Sequence, residues 1–367
     1  RDNQELAYCI NDVRLLNAYI KQKMDEYGSI VEIPMTKTDE TRIRTRNGVL
    51  YSNPKGNHGR DKKFLKYRKF LDEMKIDLPQ YQMIKRAYAG GFTHANYKHA
   101  CEIIEDKVKS IDLASSYPSV MVCKKFPMSA YREVSVKDYD ELAFYLKNYA
   151  CLFNIRFIGL RPKYNEKRNI DMGCVDSIIS ISKVEEYSKM SGYKDPTDKT
   201  KGYNRMPEYI KGHKTIKEIK EDVNDSRINN NGRLREAQSI YLTINEIDFD
   251  NICSFYIFDD VQIGCFYIAE KDYLPKDLIE QVLELFRKKT EYKPHDGEDS
   301  PEGLAYDLSK VDINSLYGIL STDLLRDEYK MEKDKVTGEI KIVSKGQDEE
   351  NADKMFEEMA ERLDKKL

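Results

Sequence analysis

Along the first segment, Leu6, Ile10, Val13, Leu16, Ile20 and Met24 recur every three or four residues, a spacing that predicts a helix over Gln4–Tyr27. Thr36–Asn53 is polar and rich in Thr and Arg, without such a period, and a Gly/Pro/Asn loop follows at Asn53–Gly59. Lys62–Met74 reads as a short basic helix, whereas Tyr81–Phe92 looks extended and ends in the pair Gly90 and Gly91. Val108–Tyr117 predicts a strand running into a turn at Tyr117–Pro118. Tyr139–Tyr149 is helical, and Ala150–Leu160 alternates like a strand with one face on a core. Arg161–Arg235 is charged and Asn/Lys/Asp-rich, an insertion ordered in part at best. Strands return at Ser239–Ile244 and Ile263–Ile268. Helices then follow at Pro275–Tyr292, where Pro suits a first turn, and at Leu304–Leu320, joined by the polar loop His295–Gly303. A charged helix near Asn351–Leu367 ends the pattern.

Composition adds limits. A chain of 367 residues exceeds one ordinary core, so two or more domains are expected, and 40% hydrophobic residues suffice to fill them. The net charge of -3 argues against a uniformly basic nucleic-acid wrapper but leaves room for local grooves. Basic clusters occur at Lys62, Lys63, Lys66, Arg68 and Lys69, and at Arg287, Lys288 and Lys289; each alone reads as a solvated helix face. The seven cysteines stand singly and the five histidines show no ligand spacing, so zinc is not indicated and a reducing compartment is. No apolar run is long enough to span a bilayer and no signal peptide is seen, so no membrane partner is expected. Beginning at Arg1 inside a helix, the chain reads as a fragment.

Two segments carry chemistry. In Ile111–Ser119, Asp112 sits before a sharp turn, where a carboxylate can hold a divalent cation against a phosphate; taken generically, such an Asp is more often a turn former. In Lys310–Gly318, Lys310, Asn314 and Tyr317 stand at i, i+4 and i+7 and share one helix face. A cation, an amide and a ring could there meet a triphosphate, a sugar and a base; an ordinary amphipathic helix would leave the same pattern.

DxxSxYPS at Asp112–Ser119 and KxxxNSxYG at Lys310–Gly318 resemble the first and second polymerase signatures of family B DNA polymerases. Tyr88-Ala89-Gly90-Gly91 is similar to the YxGG element between exonuclease and polymerase domains, and Tyr8–Asp12 to the YxxxD exonuclease signature. All four stand in family order. The resemblance implies an α/β (α+β) right-hand fold: a palm of antiparallel strands with helical fingers, preceded by the end of a 3′-5′ exonuclease domain. The expected division is 1–53 for that end, 54–99 for the linker and YxGG region, and 100–160 for the first part of the palm. A charged insertion then occupies 161–235, palm strands 236–270, fingers 271–320, and a truncated returning palm segment 321–367.

The same resemblance implies template-directed addition of deoxynucleotides to a primer 3′-hydroxyl in viral replication. Asp112, with the Leu113 carbonyl, is expected to bind Mg2+ or Mn2+, two ions in the complete enzyme. Tyr117 is expected beneath the deoxyribose, excluding a 2′-hydroxyl. Lys310 is expected on the triphosphate and Asn314 and Tyr317 at the nascent base pair, with Ser115 and Arg287 as further nucleotide contacts; Lys288 or Lys289 are open alternatives to Arg287. Tyr88, Gly90, Gly91, Ser315 and Gly318 are expected to face DNA. Tyr8 and Asp12 read as an exonuclease remnant without its upstream carboxylates, so proofreading is not expected. The third signature, YxDTDS, has no match after Leu320, and Tyr256–Asp260 reads as an acidic turn at a strand end. With one carboxylate, the fragment alone is expected to be inactive, and a non-catalytic DNA-binding remnant is the alternative; another nucleotidyl transferase is disfavoured by Lys310–Gly318. Expected partners are primer-template DNA, deoxynucleoside triphosphates and, for the protein-primed phage kind, a terminal priming protein gripped by the 161–235 segment. The expected location is the cytoplasm of an infected host.

Overall fold

The computed structural model describes residues 3–53, 61–93, 102–113, 115–165, 170–171, 177–188, 229–230, 232–298, 300–320, 328–333, 340–345 and 349–366. The loop expected at Asn53–Gly59 and most of the 161–235 stretch lie outside them. The helices are α1 (Asn3–Tyr27), α2 (Lys37–Leu50), α3 (Lys62–Glu73), α4 (Leu78–Ala87), α5 (Ser116–Cys123), α6 (Tyr139–Asn148), α7 (Glu246–Phe255), α8 (Lys276–Tyr292), α9 (Pro301–Leu320) and α10 (Glu349–Lys366). The main sheet uses β1 (Arg132–Glu133), β2 (Ala150–Pro162), β3 (Glu186–Ser188), β4 (Ala237–Asn245), β5 (Tyr256–Ile257) and β6 (Asp260–Ala269). Helix α1, the helices at Lys62, Tyr139, Lys276 and Glu349 and the strands β2, β4 and β6 stand where the pattern predicts them.

The chain divides into two compact units, one of residues 1–68, 114–124 and 274–322, the other of 69–113, 125–273 and 323–367. In the first, α2, α5, α8 and α9 pack together. Met121, Val282, Leu285, Ile313 and Leu316 form its apolar centre. Helix α2 lies where the sequence showed only a polar stretch. Thr36 caps it, its side chain accepting from the Asp39 amide at 3.1 Å, and Asp39 and Glu40 in the first turn suit the positive end of the dipole.

The second unit is built on an antiparallel sheet of order β1-β6-β2-β4-β3, with β5 also paired to β2. In register, Tyr241 faces Arg156 and Val261 faces Phe157, and a bulge interrupts β6 between Ile263 and Phe266. Strand β2 was expected to bury one face. Instead its first six residues are all buried, because it is the central strand and α4, α6 and α7 pack on it. Phe153, Ile155, Phe157, Ile240 and Ile268 are wholly buried, and Phe153 stacks on Phe266 with centroids 4.6 Å apart. The described ends of the charged insertion join this core: Ile181, Val184, Tyr187 and Leu234 are buried with it.

Two local expectations are corrected. Tyr81–Phe92 is not extended throughout, because α4 runs to Ala87. Asp77 accepts from the Gln80 amide at 2.8 Å while the Gln80 side chain returns to the Asp77 amide, and Pro79 fits the first turn. Val108–Leu113 forms no ladder, and the chain turns at Ser115 rather than at Tyr117–Pro118. Ser115 is left-handed at φ 51°, and α5 starts at the next residue with Pro118 in its first turn, where a missing N–H costs nothing.

Candidate functional site

The first unit gathers most of the expected nucleotide-contacting residues around α5, α8 and α9. Ile313 and Leu316 pin one face of α9 to α8 and α5 through the apolar centre. Lys310 and Asn314 are consequently exposed on another face, and Lys310 Nζ lies 5.8 Å from the Tyr306 ring centroid. Tyr317, on the same helix, stacks on Tyr117 of α5 with ring centroids 3.7 Å apart and planes 17° from parallel. Two segments nearly two hundred residues apart in sequence are thus joined by a pair of tyrosines, one of them 43% exposed.

Ser115 extends this cluster. Its left-handed backbone is a conformation that costs a non-glycine residue energy, and such strain gathers at functional sites. Lys289 Nζ donates to its hydroxyl at 2.9 Å. Arg287 pairs instead with Glu284 at 2.8 Å, and Lys288 approaches the same carboxylate at 3.6 Å. Of the three consecutive cations, Lys289 is the one brought to the DxxSxYPS segment. Ser315 is half-buried and accepts from Thr38 Oγ1 at 3.4 Å, while a Cβ placed on Gly318 would meet no atom within 4 Å.

The orientation of α9 rests on a residue that the sequence did not single out. Asp312 is buried, and its carboxylate accepts from Thr41 Oγ1 at 2.8 Å and Arg44 Nη2 at 2.9 Å, with Lys37 Nζ at 3.2 Å. Lys37 also reaches Glu40, which accepts from Lys23 at 2.7 Å and from Lys37 at 3.0 Å. Burial alone pushes the Glu40 carboxyl up, but the two lysines outweigh it and hold it below the ordinary 4.5. A carboxylate depressed in the folded state stabilises above its unfolded value and loses that contribution as pH falls through the folded one. Urea unfolding between about pH 7 and about pH 3 should therefore show a shallower acid loss of stability in Glu40→Gln than in wild type. Parallel acid limbs would show that Glu40 contributes nothing to it.

Tyr8 and Asp12 stand one turn apart on α1, both exposed. Asp112 and Leu113 belong to the second unit, exposed outside any helix or strand. A carboxylate and a carbonyl are donors of the type that Mg2+ accepts, but they fall short of its octahedral shell. Among the described residues no group of three or more His, Cys, Asp or Glu could hold a metal ion.

Tyr88 and Gly90, also in the second unit, follow α4 on an exposed turn, and a Cβ on Gly90 would meet nothing within 4 Å. Lys183 Nζ lies 5.7 Å from the Tyr88 ring centroid, and the Arg233 guanidinium 4.8 Å from that of Phe92. No membrane-length apolar helix occurs among the described residues.

Comparison with known proteins fits these observations. No curated protein matches the sequence. The fold resembles phi29 DNA polymerase complexed with primer-template DNA, at 16% identity and a TM-score of 0.51, covering 94% of this chain and 45% of that one. Phi29 DNA polymerase complexed with single-stranded DNA gives 16% identity and a TM-score of 0.50, with the same coverage. The chain thus spans under half the length of these structures. A family model described as DNA polymerase type B, organellar and viral, matches residues 2–187, half of the sequence. The chain belongs to the organellar and viral type B DNA polymerases.

Proposed function

We propose that this chain carries the nucleotide-gripping part of a template-directed DNA polymerase that adds deoxynucleotides to a primer 3′-hydroxyl in viral replication. The observation that carries the reading is the stacked pair Tyr117–Tyr317, which joins the two polymerase-like signatures on one surface beside Lys289 and Ser115. Lys310 and Lys289 neutralise triphosphate charge, Asn314 and Tyr317 face the nascent base pair, and Ser315 and Gly318 lie toward the template. Lys289 takes the phosphate role in preference to Arg287, whose charge is already met by Glu284.

Asp112 and the Leu113 carbonyl would hold a divalent cation, which supplies charge neutralisation at the phosphates when bound. Tyr88, Gly90 and Gly91 face DNA. Tyr8 and Asp12 correspond to the exonuclease signature. The likeness to phi29 DNA polymerase complexed with primer-template DNA supports primer-template DNA as a partner, and the polymerase reading calls for deoxynucleoside triphosphates. Protein priming, with a terminal protein held by the 161–235 segment, is the subtype that fits this likeness, and the host cytoplasm is its setting.

Primer extension by the full-length protein tests the proposal. Tyr117 keeps its ring against Tyr317, where it limits the room beneath the sugar. Tyr117→Val should admit ribonucleotides, improving ribonucleotide over deoxynucleotide use by about tenfold or more, equivalent to roughly 1.4 kcal/mol. Unchanged sugar discrimination would refute the gate, and absence of any template-dependent extension by wild type would refute the polymerase reading and favour a DNA-binding remnant.

A further inference from the structure

A cleft of about 450 Å³ opens in the second unit between the turn after α4, the strand β4 and the helix α7. Its walls are apolar, formed chiefly by Ile179, Leu242, Ile244, Ile252 and Phe255. Two cations line it, Lys183 and Arg233, each set against an aromatic ring, Tyr88 and Phe92 respectively. Asp248 and Asn251 of α7 add a carboxyl and an amide. The size lies within the range of small-molecule sites, and the lining combines apolar surface with a few polar groups. A purely apolar guest, such as an acyl chain, would desolvate the remaining N–H donors of two cations and the free lone pairs of a carboxyl. A free phosphate or sulfate would leave the apolar walls unused.

A nucleotide satisfies both halves of this lining. Its base is a flat ring with polar edges, and its phosphate is an anion that Lys and Arg meet directly. We propose that this cleft takes one unstacked nucleotide of single-stranded DNA, the base between the apolar walls, its edge toward Asp248 and Asn251, and its phosphate toward Lys183 and Arg233. The strand as source rests on the polymerase reading; the nucleotide chemistry does not. The lining agrees electrostatically. Burial lowers the Lys183 pKa, which the Asp248 charge only partly opposes. Burial raises the Asp248 carboxyl, against the Asn245 amide it accepts from. Each shift marks a cost of burying the charged form, which a phosphate at Lys183 and a hydrogen-bond donor at Asp248 would relieve. Lys183 donates to the Lys85 carbonyl at 3.5 Å and Arg233 to the Ile178 carbonyl at 3.3 Å, which fixes both stems while leaving further N–H donors on each head.

The test is photocrosslinking of the full chain to a single-stranded oligonucleotide bearing one 5-iodouracil, with binding followed by fluorescence anisotropy. Crosslinks should map to Phe92 or Phe255 and fall at least about tenfold in Lys183→Met, consistent with loss of a charge-assisted phosphate contact. Asn251→Trp, at an exposed position on α7, should block the cleft and give the same loss without relying on Lys183. Labelling at the same residues by free 5-iodo-deoxyuridine monophosphate would support the nucleotide chemistry and assign its source to mononucleotides. DNA binding with crosslinks only elsewhere, or crosslinks unchanged in both variants, would overturn this site and leave the polymerase reading standing. Failure of wild type to bind single-stranded DNA and mononucleotide alike would overturn the site, and absence of primer extension separately tests the polymerase reading.

Discussion

Asp112→Ala in the full-length protein is expected to lower nucleotide incorporation by at least about 100-fold, a loss of roughly 3 kcal/mol of transition-state stabilisation. DNA affinity should stay near that of wild type. The argument starts from charge. A carboxylate beside a triphosphate is repulsive on its own, and becomes useful only when a cation lies between them. Asp112 is exposed outside any helix or strand, so its removal leaves no cavity and costs the fold little. A drop in activity therefore cannot be ascribed to unfolding, provided the melting curve is unchanged. Asp106→Ala, also at an exposed carboxylate nearby, serves as the control and should keep full activity. Single-turnover incorporation measured alongside DNA-binding anisotropy decides the matter; retained incorporation in Asp112→Ala would remove this residue from the chemistry.

The parts of the fold that were legible are those whose burial is apolar and regular. Helix α8 exposes Lys276, Arg287 and Lys288 and buries Val282 and Leu285, so its period is plain in the sequence. Strands β4 and β6 likewise carry their own pattern. Helix α2 was illegible because what it buries is polar: Glu40, Thr41 and Thr45, satisfied in part by partners hundreds of residues away or on α1. Helix α4 was misread for another reason. Its capping signal, Asp77 with Gln80 three residues on, lies just before Tyr81, and the glycine pair at Gly90 and Gly91 marks only the chain beyond its end. The Asp-x-x-Gln spacing with Pro79 could have found it.

At the site, the motif residues could be named from their order along the chain, yet their mutual geometry could not. Arg287, Lys288 and Lys289 are successive positions on α8 and point about 100° apart, as any helix requires. Sequence offers no means to choose among them. What distinguishes Lys289 is Ser115, left-handed at φ 51°, whose hydroxyl accepts from it. A non-glycine residue at positive φ leaves no mark in composition or period, so this feature lay beyond sequence reading. The same holds for Lys183 and Arg233, which lie fifty residues apart and come to one cleft where the insertion's two ends pair with each other, Ile179 opposite Leu234 and Ser180 opposite Arg233.

Asp312 offers the second large effect, because it sits inside the Lys310–Gly318 segment yet is buried against α2, away from the exposed Lys310 and Asn314. Its carboxylate gathers three donors from α2, and its side chain is only 12% exposed. Asp312→Ala would leave Thr41, Arg44 and Lys37 without this acceptor. A buried hydrogen-bonded pair cut on one side costs several kcal/mol, but Arg44 is 46% exposed and can turn to water, so about 2 kcal/mol is expected. Asp312→Asn retains an oxygen for Thr41 and should cost about half as much. Urea unfolding measures both, and equal stability of all three proteins would refute the anchoring role. A kinetic consequence separates orientation from mere stability. Lys310 and Asn314 are on the same helix and turn with it, so Asp312→Ala should raise the KM for deoxynucleotides about tenfold at a temperature where the variant is fully folded, with a smaller change in kcat. A variant that is less stable but keeps the wild-type KM would show that α2 holds α9 in the fold without setting how its exposed face meets the nucleotide.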